Sequence, residues 1–282
     1  MQRELKSKHR SKSIVQMPGE RPVALTIAGS DSGGGAGIQA DLRTFAALGV
    51  HGTCAITCIT AQNPRRVAWI QPCEPELVRA QIESVVTVLR PAAAKTGMLF
   101  SDAIVHVVAQ FFRKAKPPAL LVDPVMRATS GARLIEARAL TTLKRELLPL
   151  ATLVTPNLHE ARILAGIEIA TLNEARRAAR LIFDRYGCAV LLKGGHLECG
   201  LRANDVFFDG TNDLILRAPR IKGLSTHGTG CTLSAAITAQ LARGVGLSDS
   251  AQRAKEFVTR AIRKSYAVGK HPILDHGDEG LD

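Results

Sequence analysis

Aromatic residues are scarce in this 282-residue chain, in which one tryptophan, two tyrosines and eight phenylalanines amount to 4% of the residues. Single-stranded nucleic acids are held by aromatic platforms interleaved with basic side chains, so the net charge of +12 does not by itself make a nucleic-acid binder. Part of that charge is local. Residues 1–22 carry Arg3, Lys6, Lys8, Arg10, Lys12 and Arg21 against Glu4 and Glu20, which accounts for +4 and leaves +8 spread over the rest. No run of about 18 apolar residues is present, which argues against a membrane-spanning helix. The stretch 1–22 also lacks the apolar centre of a secretory signal, and Glu4 interrupts any transit-peptide pattern, so it reads as a disordered basic extension. The six cysteines (Cys54, Cys58, Cys73, Cys188, Cys199, Cys231) form no CxxC pair and no zinc spacing; reduced thiols in a cytoplasm fit them better than a disulfide framework.

What is present is the composition of a globular protein, 46% hydrophobic and 22% charged. From Pro22 onward, "VALTIAG", "GTCAITCIT", "AAAKTGML", "ALLVDPVM", "ATLVTPN" and "CAVLLKGG" read as buried strands that end in Gly, Pro, Asp or Asn. Between them lie helical patterns: "AGIQADLRTFAALG", "PELVRAQIESVVTVLR", "DAIVHVVAQFFRKA", "EARALTTLKRELLP", "HEARILAG" and "NEARRAARLIFDRYG". The alternation predicts one α/β domain with a mostly parallel sheet covered by helices on both faces. A small antiparallel hairpin is expected around Asp209-Gly210-Thr211-Asn212, then two helices over 231–243 and 248–267. In such folds ligands sit beyond the carboxyl ends of the strands, so the residues after each strand are the candidates for chemistry.

Two glycine loops stand there. "AGSDSGGGAGIQAD" (28–41) follows a strand and opens a helix, yet Ile38 breaks the G-x-G-x-x-G register and no Lys stands where a P-loop needs one. Asp31 and Asp41 add polar groups beside it. The second loop, "THGTGCTLSAA", leaves the N–H groups of Gly228, Thr229 and Gly230 at a helix start, where the helix dipole favours a phosphate. The same position is expected to lower the pKa of Cys231 and raise its thiolate fraction.

With "AQN" (61–63), "KTGML" (95–99), "DPVM" (123–126), "TPNLHEA" (155–161) and "LLKGGH" (191–196), these loops resemble the hydroxymethylpyrimidine/phosphomethylpyrimidine kinases of thiamine biosynthesis, from about Val23 to about Gly269 and in the same order. The resemblance implies a ribokinase-like fold, three layers α/β/α, with a kinase domain over 23–270 and a tail over 271–282. It also implies ATP and Mg²⁺ as cofactors, a small pyrimidine substrate with neither nucleic acid nor membrane as partner, and a homodimer by family analogy.

Site residues follow partly from the same resemblance and partly from the positions themselves. Cys231 stands where most ribokinase-like kinases carry an Asp base, and whether it acts as a base or helps hold the anion is left open. Gly228, Thr229 and Gly230 lie at the helix start that favours a phosphate, and Lys193, directly after the strand "CAVLL", is either within reach of the ATP phosphates or a solvated lysine. Gln62 matches the carboxamide that answers the aminopyrimidine edge, whose donor and acceptor it can satisfy together. Gly29, Met98 and Val125 match lining positions of the substrate pocket, and Asp41 is grouped with them. Asp123 and Glu160 are the candidate Mg²⁺ carboxylates, directly or through water. Glu160 has a second reading, since Asn157 three residues before it predicts a capping box.

Two positions depart from the pattern. Arg127, ahead of Ala128-Thr129-Ser130-Gly131, stands near where many members carry a lysine, and Pro64 replaces a common Thr. Two further readings remain: a pyridoxal kinase, because relatives with the same Cys loop accept that ring, and a non-catalytic sensor whose basic tail docks on a partner. His227 beside Cys231 could suggest a cysteine hydrolase, but adjacency in sequence is not adjacency in space.

Overall fold

The structure, a computed structural model, describes residues 19–114, 119–128, 130–195, 197, 202–221 and 227–277. Alternation along its strands divides the apolar residues between the two faces of the sheet. Leu25 and Ile27 of β1 (Val23–Asp31), Leu120 and Val122 of β5 (Ala119–Val122), and Val190 and Leu192 of β7 (Ala189–Leu192) enter one buried cluster. That cluster also takes apolar faces of α2 (Pro75–Leu89), α3 (Asp102–Lys114), α5 (Leu158–Ala165) and α6 (Leu172–Tyr186). Their neighbours Ala24, Leu121 and Leu191 point the other way, against α1 (Gly37–Ala47), α7 (Thr229–Ala242) and α8 (Leu247–Arg263). The result is the expected three-layer α/β/α arrangement.

The main sheet has nine strands in the order β3-β2-β1-β4-β5-β6-β7-β8-β9. Its centre, with β2 (His51–Asn63), β4 (Ala93–Thr96) and β6 (Leu153–Val154), is parallel. The hairpin expected at 209–212 joins β8 (Arg202–Phe208) to β9 (Asp213–Pro219), and it extends the main sheet antiparallel to β7. All six strands read from the sequence are present.

Four features differ from the sequence expectation. A strand β3 (Arg66–Pro72) pairs antiparallel with β2; it has no buried residue, so its pattern carries no hydrophobic face. The helix expected over 136–149 is α4 (Ala137–Thr142) followed by a π turn over Leu143–Leu147 and a 3-10 turn over Leu148–Leu150, where Pro149 cannot donate a helical bond. The last helix stops at Arg263 instead of 267, because Tyr266–Val268 (β10) folds back on His271–Ile273 (β11). That hairpin brings residues beyond position 270 onto the domain, where Leu274 is buried and the Asp275 N–H donates to the Ala261 carbonyl. Most of the basic extension, with Cys199, His196 and Thr129, lies outside the described residues.

Among the described residues, no helix is long and apolar enough to cross a membrane.

Candidate active site

Beyond the carboxyl ends of the parallel strands lies a cavity of about 610 Å³. All the candidate residues line it: Gly29, Asp41 and Gln62 from the first two βα units, Met98, Asp123 and Val125 after β4 and β5, Glu160 and Lys193 beyond, and Gly228 to Cys231 at the head of α7. Gln62 is part of β2 itself, since that strand runs to Asn63.

The α7 end is built for an anion. Its first intrahelical bond runs from the Thr232 N–H to the Gly228 carbonyl, so the N–H groups of Thr229, Gly230 and Cys231 precede the ladder. Gly228 has φ of +80°, and a Cβ there would lie 1.8 Å from the Gly35 carbonyl oxygen, so only glycine lets the two glycine loops touch. Thr229 Oγ1 is buried with no partner among the described residues. Over the same turn sits Lys193, whose ammonium would be 3.3 Å from a Cβ placed on Gly230.

Lys193 Nζ donates to Asp123 Oδ1 at 2.9 Å, with little of either side chain exposed. Burial works against its charge, but Asp123 and then Glu160 outweigh burial and raise its pKa, so Lys193 is a charged residue of the cavity and not a solvated lysine. Asp123 Oδ2 also accepts from Ser234 Oγ of α7 at 3.3 Å. Glu160 closes the predicted capping box with Asn157 (2.8 and 3.0 Å), and its other oxygen accepts the Met126 N–H at 3.2 Å. Burial pushes the Glu160 carboxyl up to about 7, with Lys193 pulling it down and Asp123 pushing it further up. Both oxygens of Glu160 are therefore engaged, whereas Asp123 faces the cations.

Cys231 is the third residue of α7, and the Gly37 N–H at the start of α1 also bonds toward it. Two helix N-termini thus converge on one thiol. The expectation of a lowered pKa is nevertheless overturned: burial, reinforced by Asp41 and Asp123, pushes the thiol up to about 11 although Lys95 pulls it down. Removing a thiolate from water costs more here than the helix ends and one ammonium return.

Lys95 escaped the sequence reading although it stands in "KTGML". It is fully buried, donates to Asp41 Oδ1 at 2.7 Å, and Asp41 Oδ2 accepts from Thr26 Oγ1 at 2.6 Å. The signal available was a lysine inside an otherwise apolar strand, a position that needs a buried partner. Asp41 is thus committed to Lys95 and Thr26, although it also borders the cavity.

The opposite wall is mixed. Met98, Val125 and Leu134 offer apolar surface, and Gln62 holds its backbone on Ser32 through Oγ bonds of 2.8 and 2.9 Å. The Asp31 carboxylate accepts the N–H groups of Gly33 (2.8 Å), Ala36 (2.9 Å) and Gly35 (3.2 Å), and meets His227 Nε2 at 3.2 Å. Burial opposes its charge, but the bonds from His227 and Gly33 hold its pKa below the ordinary value. His227 therefore ties the α7 loop to the first glycine loop. Asp205 and Lys255, also unread from sequence, line the cavity and pair with each other. Among the described residues no group of three or more His, Cys, Asp or Glu side chains forms a ready metal cluster.

Comparison with known proteins bears on this site. Residues 31–274 match the family model described as phosphomethylpyrimidine kinase. A hydroxymethylpyrimidine/phosphomethylpyrimidine kinase of Synechococcus elongatus is 49% identical over 88% of this chain and 94% of its own length. An ADP complex of Bacillus subtilis pyridoxal kinase superposes with a TM-score of 0.86 at 36% identity, covering 93% of this chain and all of that one. A phosphomethylpyrimidine kinase of Clostridium difficile superposes with a TM-score of 0.76 at 38% identity, covering 86% of this chain and all of that one.

Proposed function

The chain belongs to the phosphomethylpyrimidine kinase family, and from that premise we propose that it transfers the γ-phosphoryl group of ATP first to the hydroxymethyl group of 4-amino-5-hydroxymethyl-2-methylpyrimidine. The resulting monophosphate is then phosphorylated again, giving the pyrophosphate used for thiamine. The observation that carries this reading is the convergence of the α7 N-terminus, Lys193 and Cys231 in the same cavity as Gln62, Met98 and Val125.

The phosphate end fits a nucleotide. Thr229 Oγ1 is a buried oxygen without a partner among the described residues, and it stands beside N–H groups outside the helical ladder and under the Lys193 ammonium. These groups hold the transferring phosphoryl in line with the acceptor oxygen. In the loose transition state of phosphoryl transfer the protein's main task is positioning and charge stabilisation. The Cys231 thiol, protonated at neutral pH, then acts in the anion-holding turn and not as a strong base. The acceptor oxygen forms its bond to the γ-phosphorus, the bond to the β-phosphate oxygen breaks and ADP leaves, while the proton of the acceptor hydroxyl passes late to an oxygen of the transferred phosphoryl group.

Asp123, with Glu160 behind it through water, would hold Mg²⁺, which neutralises charge on the phosphates when bound. The donor set suits that ion: carboxylate oxygens, one of them already turned toward cationic charge. On the acceptor side, Gln62 presents its carboxamide to the aminopyrimidine while Gly29, Met98 and Val125 line the ring's apolar faces, and Asp41 supports this wall through Lys95.

A pyridoxal kinase is the second reading, favoured by the fit to the Bacillus subtilis pyridoxal kinase structure. ADP release with MgATP and each of hydroxymethylpyrimidine, its monophosphate and pyridoxal separates the two. Turnover of both pyrimidines supports the first reading, and turnover of pyridoxal alone replaces it with the second.

We also take the protein to be a cytoplasmic homodimer. Its five described cysteines are free thiols, as a reducing compartment keeps them. Ile59 (58% exposed) and Trp69 (68% exposed) lie on neighbouring strands β2 and β3, an apolar surface suited to a second copy. A dimer by sedimentation that Trp69→Glu disperses would support it.

A further inference from the structure

Lys193 places its ammonium over the first turn of α7, and its backbone is held from two directions. On one side its N–H donates to the Pro156 carbonyl at 2.8 Å. On the other, the next residue, Gly194, donates its N–H to Asp205 Oδ1 at 2.9 Å. The contact is close: a Cβ on Gly194 would lie 2.3 Å from the Asn204 carbonyl oxygen, so the exit of β7 is pressed onto β8. Asp205 is buried, and its second oxygen accepts from Lys255 Nζ of α8 at 2.6 Å. Lys255 and Asp205 expose 12% and 5% of their side chains.

A buried carboxylate that bonds a backbone amide is costly without a compensating cation, and Lys255 supplies it from a different layer of the fold. We propose that Asp205 and Lys255 are a positioning pair that fixes the 193–195 turn, and through it the height of the Lys193 ammonium over the phosphate-binding end of α7. The pair acts on nucleotide phosphates through Lys193 and not by touching the base. The inference rests on the reading, under the proposed function, that Lys193 contacts ATP phosphates.

The test uses the full chain, Mg²⁺ and two probes, ADP and adenosine, with dissociation constants from calorimetry. Asp205→Asn keeps the shape and removes the charge that anchors both Gly194 and Lys255. It should weaken ADP about tenfold while adenosine, which has no phosphate, changes less than about twofold. Lys255→Met should follow the same pattern, and Lys255→Arg should restore ADP binding.

In a Lys193→Met background, Asp205→Asn should add less than about twofold to the loss, because the group it positions is gone. Should Asp205→Asn fail to fold, Lys255→Met carries the same comparison. Equal losses of ADP and adenosine, or losses that add fully to that of Lys193→Met, would overturn the inference. If Lys193→Met itself leaves ADP binding unchanged, the reading of Lys193 falls, and the inference with it.

Discussion

Lys95 Nζ lies 2.7 Å from Asp41 Oδ1 with neither side chain exposed, and Cys231 feels both charges, the ammonium favouring its thiolate and the carboxylate opposing it. The substrate wall and the phosphate end thus share one buried ion pair. Lys95→Met leaves the Asp41 charge uncompensated, and breaking such a pair costs about 3–5 kcal/mol. Urea denaturation should show that loss for Lys95→Met, and a smaller one for Lys95→Met combined with Asp41→Asn.

Cys231 is the subject of the second prediction. With its pKa raised from 9.0 to about 11, the thiol stays protonated at neutral pH. Alkylation of Cys231 by iodoacetamide, followed by mass spectrometry, should be slow at pH 7 and still rising at pH 10. Cys231→Ser should keep more activity than Cys231→Ala, because a hydroxyl also donates a hydrogen bond in the anion-holding turn. A reactivity midpoint below pH 8 would restore the thiolate base.

Glu160 makes stability depend on pH. Its carboxyl titrates near 7 in the folded protein against 4.5 for the free side chain. The folded state therefore holds a proton between those values that the unfolded chain has lost, and stability falls as pH rises from about 4.5 to about 7. Glu160→Gln can keep the capping box and removes that titration. Urea midpoints in EDTA should show wild type losing up to about 3 kcal/mol relative to Glu160→Gln across that window.

Gly228 tolerates no side chain. Its φ of +80° and the 1.8 Å approach of a Cβ to the Gly35 carbonyl mean that Gly228→Ala must separate the two glycine loops. Loss of ADP binding and a melting temperature lowered by several degrees are expected from calorimetry and thermal denaturation. The conservative Thr229→Ser, in contrast, should bind ADP within about twofold of wild type, because it keeps the Oγ.

Much of this was legible in the sequence because strand ends in a parallel sheet face one side, so "DPVM", "TPNLHE" and "LLKGGH" arrive at a common edge once the strands are recognised. The capping role of Asn157 and Glu160 was legible for a similar reason, since a box is a local pattern. Lys95 with Asp41, His227 with Asp31, and Lys255 with Asp205 were not. Their partners are 54, 196 and 50 residues apart, and no local spacing announces such pairs. The direction of the Cys231 shift was misread because burial, a property of the packed fold, exceeds the effect of the helix start. β3 stayed hidden because an exposed edge strand carries no buried stripe.

The most direct test of the two-step kinase is mass spectrometry of the products formed by the purified protein from MgATP and hydroxymethylpyrimidine. The account predicts the monophosphate first and the pyrophosphate after it, with both lost in Lys193→Met. A protein that binds the pyrimidine but forms neither product, or that phosphorylates only pyridoxal, would contradict it.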